Sequence, residues 1–275
     1  MPNPRTGLGC SGRAVLGARW DEPTQNERLR RAFEDGLIDY IEANYPIARG
    51  FEPEVGDDTP VLVHCPVNPL ASAHGFNRKL AAQVRAGAEF HDSPWIGEHL
   101  CWLSAASEGR LGYIVNPIFC EATRDVAVEN VRALSVFYGR PVALELAPVY
   151  GMTGSFASEI HFLTSVAEQA DALIIFDLAH WTASNRNLGR PPDFGLDVLP
   201  RERIVELHIA GIRPSRSTGF WHDSHGDLPE VAMIELVREF VCTLPSLRAV
   251  TFEHLDGADE GDLRQTLKAL RAAMA

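Results

Sequence analysis

Residues 173–181 read LIIFDLAHW, an apolar, β-branched run that stops in Asp177, with His180 three positions on. A run so short and so continuously apolar suits a strand buried on both faces rather than an amphipathic helix. Working outward, runs of the same kind appear at Ile38–Asn44, Val61–His64, Trp95–Leu100, Val142–Leu146, Ile204–Ile209 and Ala249–Glu253. Segments with helical period lie between them, at Asn26–Glu34, Phe76–Phe90, Thr123–Tyr138, Ser155–Gln169, Pro229–Val241 and Asp259–Ala273. Thr123, Ser155 and Asp259 read as their caps. Strands alternating with helices imply repeated βα units and a parallel sheet. The α/β class follows, and 275 residues suit one (β/α)8 TIM barrel as a single domain over 1–275. Thr6–Cys10 is the expectation for the eighth strand, at the start of the ring. An open, doubly wound sheet is the second choice.

Composition narrows the function. Against 25 Lys and Arg stand 37 Asp and Glu, a formal net charge of −12. Such a field repels phosphate, so neither nucleic acid nor an anionic membrane surface is an expected partner. No apolar run reaches the roughly 18 residues of a spanning helix, and no secretory signal stands out, so a cytoplasmic location is expected. The five cysteines form no CxxC pair, which argues against a disulfide framework and a cysteine-rich zinc site. Lysine occurs only at Lys79 and Lys268, neither at a strand end, which disfavours Schiff-base chemistry. GLGCSG at 7–12 matches the dinucleotide-binding pattern GxGxxG, but too few residues precede it for the strand that motif needs.

The strand ends carry the chemistry. In a barrel of parallel strands the active site is built at their C-terminal ends. Here those ends supply Glu42 and Asn44, His64, Glu98 and His99, Glu145, Asp177 with His180, His208, and Glu253 with His254; His222, Asp223 and His225 follow in a loop. One histidine at a strand end is ordinarily a hydrogen-bonded rim residue, and one carboxylate ordinarily a cap or an ion-pair partner. Converging carboxylates are another matter: they are costly to bury unless cations neutralise them. Interleaved imidazoles complete the mixed nitrogen and oxygen donor set of a transition metal. The candidate ligands are His64, His99, Glu145, Asp177, His180, His208, Asp223, His225 and Glu253. Nine are enough for two or three ions bridged by carboxylates, with Glu145 the natural bridge. Cys65 should point away from His64, to the opposite face of its strand. His74, His91 and His161 read as surface, and Cys101, Cys120 and Cys242 as small buried hydrophobes. Trp102, Trp181 and Trp221 either wall the pocket or pack at its rim.

GLGCSGR (7–13), DYIEANY (39–45), VLVHCPV (61–67), GEHLCW (97–102), LEL (144–146), IIFDLAHW (174–181), ELHIAG (206–211), WHDSHGD (221–227) and FEH (252–254) occur in this order. Together they resemble the multinuclear non-haem iron-dependent oxidative enzymes, the family that includes the methanobactin biosynthesis oxidase. The resemblance implies a xylose-isomerase-like TIM barrel holding two or three irons (Fe2+/Fe3+), with dioxygen as co-substrate. It implies modification of a ribosomally made precursor peptide at cysteine, often with a small peptide-binding partner protein. Carried over by position, His64, His99 and Glu145 would match ligands of one iron, and Asp177, His208 and Glu253 those of a second. His180, Asp223 and His225 would complete the second or bind a third, and the catalytic set would be His64, His99, Glu145, Asp177, His208 and Glu253. Gly97 and Leu146 stand where the family commonly has Ser and Asn, and Cys65-Pro66-Val67-Asn68-Pro69 replaces its Gly-rich stretch. The alternatives are a divalent-metal sugar isomerase or epimerase on the same barrel, and a metal-bound accessory subunit without turnover.

Overall fold

The apolar runs pair side by side and all in one direction. In the computed structural model, which describes residues 14–48, 51–56, 58–102, 114–254 and 260–275, eight of them close a ring. They are β1 (Val15–Trp20), β2 (Tyr40–Asn44), β3 (Val61–Cys65), β4 (Ile96–His99), β5 (Val142–Glu145), β6 (Leu173–Asp177), β7 (Ile204–Ile209) and, after a two-stranded hairpin of β8 (Ile212–Pro214) and β9 (Trp221–Asp223), β10 (Ala249–Phe252). The order around the barrel is β1-β10-β7-β6-β5-β4-β3-β2. Among the described residues seven helices wrap it: α1 (Asn26–Glu34), α2 (Arg78–His91), α3 (Glu121–Tyr138), α4 (Glu159–Ala170), α5 (Leu178–Asn187), α6 (Val231–Thr243) and α7 (Glu260–Met274). The fold is the (β/α)8 barrel that alternation implied.

Three local expectations need correction. Thr6–Cys10 lies outside the described residues, and the strand that opens the ring is β1, paired to β10 through Val15↔Ala249 and to β2 through Gly17↔Tyr40. Gly17 sits mid-strand because a Cβ there would lie 2.3 Å from the Tyr40 ring. Among the caps, α4 is capped by Ser158, whose hydroxyl accepts from the His161 N–H, and not by Ser155. Cys120 occupies the N-cap position of α3, Thr123 lies inside that helix, and Asp259 falls outside the described residues. α5 was not expected at all. It starts directly from β6, capped by Asp177, and buries Leu178, Trp181, Ala183 and Asn185 around its circumference, so it shows no single apolar stripe.

The core has two compartments. Between the strands and the helical ring runs the large apolar cluster that includes Leu16, Ile41, Val63, Ile96, Leu144 and Phe176. Inside the barrel, Tyr40, Leu62, Trp95, Ala143, Ile175 and Ala249 fill the bottom. The interior is therefore plugged from below and open only at the C-terminal ends of the strands. Of the cysteines expected in the core, Cys101 is buried, Cys120 is half-buried and Cys242 is exposed on the outer side of α6. No helix among the described residues is long and apolar enough to cross a membrane.

Candidate metal centre

Because all eight strands run the same way, their C-terminal residues arrive at one mouth, and alternation decides which of them point inward. Inward-facing there are Arg19 on β1, Glu42 and Asn44 on β2, His64 on β3, His99 on β4, Glu145 on β5, Asp177 on β6, His208 on β7 and Glu253 after β10. His180 joins from the first turn of α5, and Asp223 and His225 from the hairpin. Cys65 turns the other way, against Asn68 and Glu98.

Glu145 is the hub. Its Oε2 lies 2.9 Å from His64 Nε2 and 3.1 Å from His99 Nε2. Its Oε1 lies 3.2 Å from His180 Nδ1 and 3.5 Å from His208 Nδ1. Glu253 is a second centre, 3.0 Å from His208 Nδ1 and 2.8 Å from His225 Nε2. Asp223 pairs closely with His225 and stands 3.4 Å from His180 Nε2. Asp177 divides its oxygens: Oδ1 accepts the His180 backbone N–H at 2.6 Å, while Oδ2 faces the His180 ring at 3.5 Å.

Taken as possible donor sets with ligand atoms within 4.8 Å of one another, these residues form overlapping groups. They are His64–His99–Glu145, Glu145–Asp177–His180, Asp177–His208–Glu253 and Asp223–His225–Glu253. All nine residues singled out from the sequence are brought together. A further group, Glu42–Glu206–His208, lies deeper in the barrel.

The electrostatics show what the cluster does with its charge. Burial penalises every ion here; at His64 it prevails and lowers the imidazole despite Glu42 and Glu145, whereas at most of its neighbours the pairing overrides it. The His180 and His208 imidazoles lose by burial but are held well above their ordinary range, His180 by Asp177, Asp223 and Glu145, His208 by Glu42, Glu145 and Glu253. Burial likewise opposes the His225 cation, but Glu253 and Asp223 push it up to about 10. Burial would raise Glu145, and His99 and His208 hold it well below the carboxylate range; Arg19 and His208 do the same for Glu253. Asp177 behaves oppositely, pushed up to about 7 by burial and by the neighbouring carboxylates despite His180. Protons on imidazoles thus supply the positive charge that a bound cation would bring, and ligating a metal would release them.

Arg19 also belongs to this inward-facing cluster and was not singled out from the sequence. It is 5% exposed and lies between Glu253, in close contact, and Glu42, 2.7 Å away. Its Nη1 donates to Asn44 Oδ1 at 2.9 Å, and Asn44 in turn donates to Asp21 and faces His64 Nδ1 at 3.1 Å. The signal was the short run VLGA at 15–18 stopping in the charged Arg19, where the later runs stop in His or an acid.

Above the cluster opens a cavity of about 700 Å3. Arg19, Asn44, His99, Glu145, His180, Asp223, His225 and Glu253 form its polar floor, and Pro66, Val115, Phe119, Pro148 and Tyr150 its walls. The three tryptophans pack at the periphery: Trp102 donates to the Ala71 carbonyl, Trp181 to the Phe194 carbonyl, and Trp221 lies under the Arg186 guanidinium. His74 is exposed, whereas His91 and His161 are half-buried, bonded to Tyr45 and Ser158. Lys79 and Lys268 lie on α2 and α7, away from the strand ends.

Residues 40–263 match the family of RiPP precursor modification enzymes MbnB/TglH/ChrH. The chain belongs to that family. The match begins within the barrel, so the GLGCSGR stretch at 7–13 lies outside both it and the described residues. Among similar proteins, the chain is 29% identical to a UPF0276 protein of Anaeromyxobacter sp. (strain Fw109-5), over 74% of each chain. It is 25% identical to a longer UPF0276 protein of Streptomyces avermitilis, over 70% of this chain and 41% of that one. Two solved structures show the same barrel at low identity. A xylose isomerase-like TIM barrel protein from Mycobacterium smegmatis, in complex with magnesium, superposes with a TM-score of 0.59 at 15% identity, over 95% of this chain and 98% of that one. The 3-keto-D-glucoside 4-epimerase from E. coli superposes with a TM-score of 0.60 at 13% identity, over 94% and 100%. Membership of the MbnB/TglH/ChrH family makes a ribosomal precursor peptide the expected substrate class and the cluster a candidate metal centre.

Proposed function

We propose that the protein is a multinuclear non-haem iron oxidase that uses dioxygen to modify a ribosomally made peptide at a cysteine. The observation that carries this reading is the overlap of the donor groups. Glu145, Asp177 and Glu253 each belong to two of them, which is the arrangement that carboxylate-bridged ions need. The donor set suits iron, being imidazole and carboxylate with no thiolate. Asp177 Oδ2 and Glu145 Oε1 are buried without a hydrogen-bond partner, as ligand atoms would be.

His64, His99 and Glu145 would hold one iron, and Asp177, His208 and Glu253 a second. Asp223 and His225 with Glu253 would hold a third, while His180 stands between Glu145 and Asp177 and completes the second. When bound, iron supplies the one-electron chemistry with dioxygen that no side chain provides. The protein's own part is to hold Glu145 and Glu253 ionised, to orient the imidazoles, and to close the cluster from below with Tyr40, Trp95 and Ile175. The walls of Pro66, Val115, Phe119 and Tyr150 leave room for a peptide segment and exclude water around it. A separate small peptide-binding protein would present the precursor to this acidic chain. We place the enzyme in the cytoplasm, where its cysteines stay reduced.

Metal analysis and Mössbauer spectroscopy of anaerobically purified protein test this. Two or more irons per chain with a mixed-valent signal are expected. One zinc or manganese per chain and no iron would sink the oxidase and favour the sugar isomerase or epimerase.

A further inference from the structure

Beneath the cluster lies a second polar layer whose hydrogen-bonding groups have no role in the proposed reaction. It contains Tyr40, Thr251, Glu206 and Trp95, all inside the barrel and no more than 3% exposed. The protons in it can be ordered from the donors. Trp95 Nε1 can only donate, and it does so to Glu206 Oε2 at 2.9 Å. Thr251 Oγ1 donates to Glu206 Oε1 at 2.6 Å, so the 2.6 Å bond between Tyr40 and Thr251 must run from the Tyr40 hydroxyl. Glu206 therefore accepts on both oxygens. Glu42 forms an ion pair with Arg19, its Oε1 2.7 Å from Nη2.

These two carboxylates converge on one atom. His208 Nε2 lies 3.3 Å from Glu42 Oε2 and 3.5 Å from Glu206 Oε1. Acceptors meet it from both sides, so Nε2 carries a proton. The other ring nitrogen, Nδ1, faces Glu145 and Glu253 in the cluster, with the donor Arg19 Nη2 at 3.5 Å. His64 is arranged the opposite way. Asn44 Oδ1, which accepts from Arg19, meets His64 Nδ1, and Nε2 faces Glu145.

We propose that Glu206 and Glu42 are positioning residues that fix the tautomer of His208, so that it ligates metal through Nδ1, while His64, oriented by Asn44, ligates through Nε2. The inference rests on the cluster being a metal centre, but not on which metal or which reaction. A carboxylate behind a ligating imidazole fixes the ring and raises its basicity, and losing one typically weakens metal binding 10–100-fold.

The test is zinc titration of the metal-free chain, followed by long-range 1H–15N correlation of the zinc-loaded, histidine-labelled protein. The wild type is expected to show His208 protonated at Nε2 and metallated at Nδ1, with His64 reversed. In Glu206→Gln the amide N–H groups compete for the position facing Nε2, and zinc affinity at one site should fall about 10–100-fold. Glu42→Gln should act in the same direction. Trp95→Phe, which removes a donor to Glu206 without touching His208, should weaken binding by less. A wild-type His208 bound through Nε2 would overturn the proposal, as would both Gln variants keeping wild-type affinity and tautomer. A wild-type chain that takes up neither zinc nor iron would instead remove the metal reading beneath it.

Discussion

Two glutamates on neighbouring strands make the most instructive contrast in the molecule. Glu98 on β4 and Glu145 on β5 are both buried, and both pay the same kind of desolvation penalty. Glu98 points outward, toward α3, where the Tyr138 hydroxyl donates to it at 2.6 Å and the Asn68 amide at 2.7 Å. Those neutral donors offset only part of the penalty, and burial pushes Glu98 up to about 8. Glu145 points inward among His64, His99, His180 and His208; burial would raise it, and His99, His208 and His180 hold it well below the ordinary range. Neighbours able to carry positive charge, rather than depth, decide which buried acid is available to a metal.

The largest effect that could break this contrast is at the hub. Glu145→Ala should lose more than one metal ion per chain by metal analysis, because two donor groups share that residue. Loss of one ion or none would end its role as a bridge.

Next comes Arg19, the fixed cation of the inner face. Removing one partner of a buried ion pair costs about 3–5 kcal/mol, so Arg19→Met should destabilise the metal-free protein by that order in urea melts. Bound ions would neutralise Glu253 in its place, so the loss should shrink on metal loading. Equal losses in both states would contradict this.

On the outer face, the folded pKa of Glu98 lies above its unfolded value of 4.5. The group's contribution is therefore fully present below pH 4.5 and is lost as pH rises toward 8, because the unfolded chain ionises first. At about 1.4 kcal/mol per unit, roughly 3 kcal/mol should go between pH 4.5 and 7. Glu98→Gln should abolish that slope; an unchanged slope in denaturation curves across this range would show that Glu98 is ionised after all.

The smallest expected effect is at Gly97, on the same strand. A Cβ there would lie 2.3 Å from His64 Cδ2 and 2.8 Å from Ile175 Cδ1. Gly97→Ser should cost about 1–2 kcal/mol by overpacking and weaken metal binding by shifting His64. Unaltered stability and affinity would mean that the ring relocates freely.

How much of this was legible beforehand depended on the local signal. The seven later barrel strands were readable because each is a continuous apolar run, and seven of the nine cluster residues, all but Asp223 and His225, end one or closely follow it. β1 was not, because Gly17, required by the Tyr40 ring, interrupts its run and Arg19 ends it where the others end in His or acid. α5 was hidden by being buried on all sides. The hairpin that carries Asp223 was read as a loop, since β8 and β9 have only three residues each. The second layer was invisible for a different reason. Glu206, Thr251 and Tyr40 meet across 45 to 211 positions of sequence, and only barrel closure brings them together.

The position of β10 has a consequence in time. It pairs with β1 on one side and β7 on the other, and Glu253 follows it directly. Glu253 enters two of the donor groups, so these stay incomplete in a nascent chain until β10 has emerged and the first strand has met the last. Metal taken up by those two groups would therefore follow ring closure, whereas His64–His99–Glu145 and Glu145–Asp177–His180 are complete without β10.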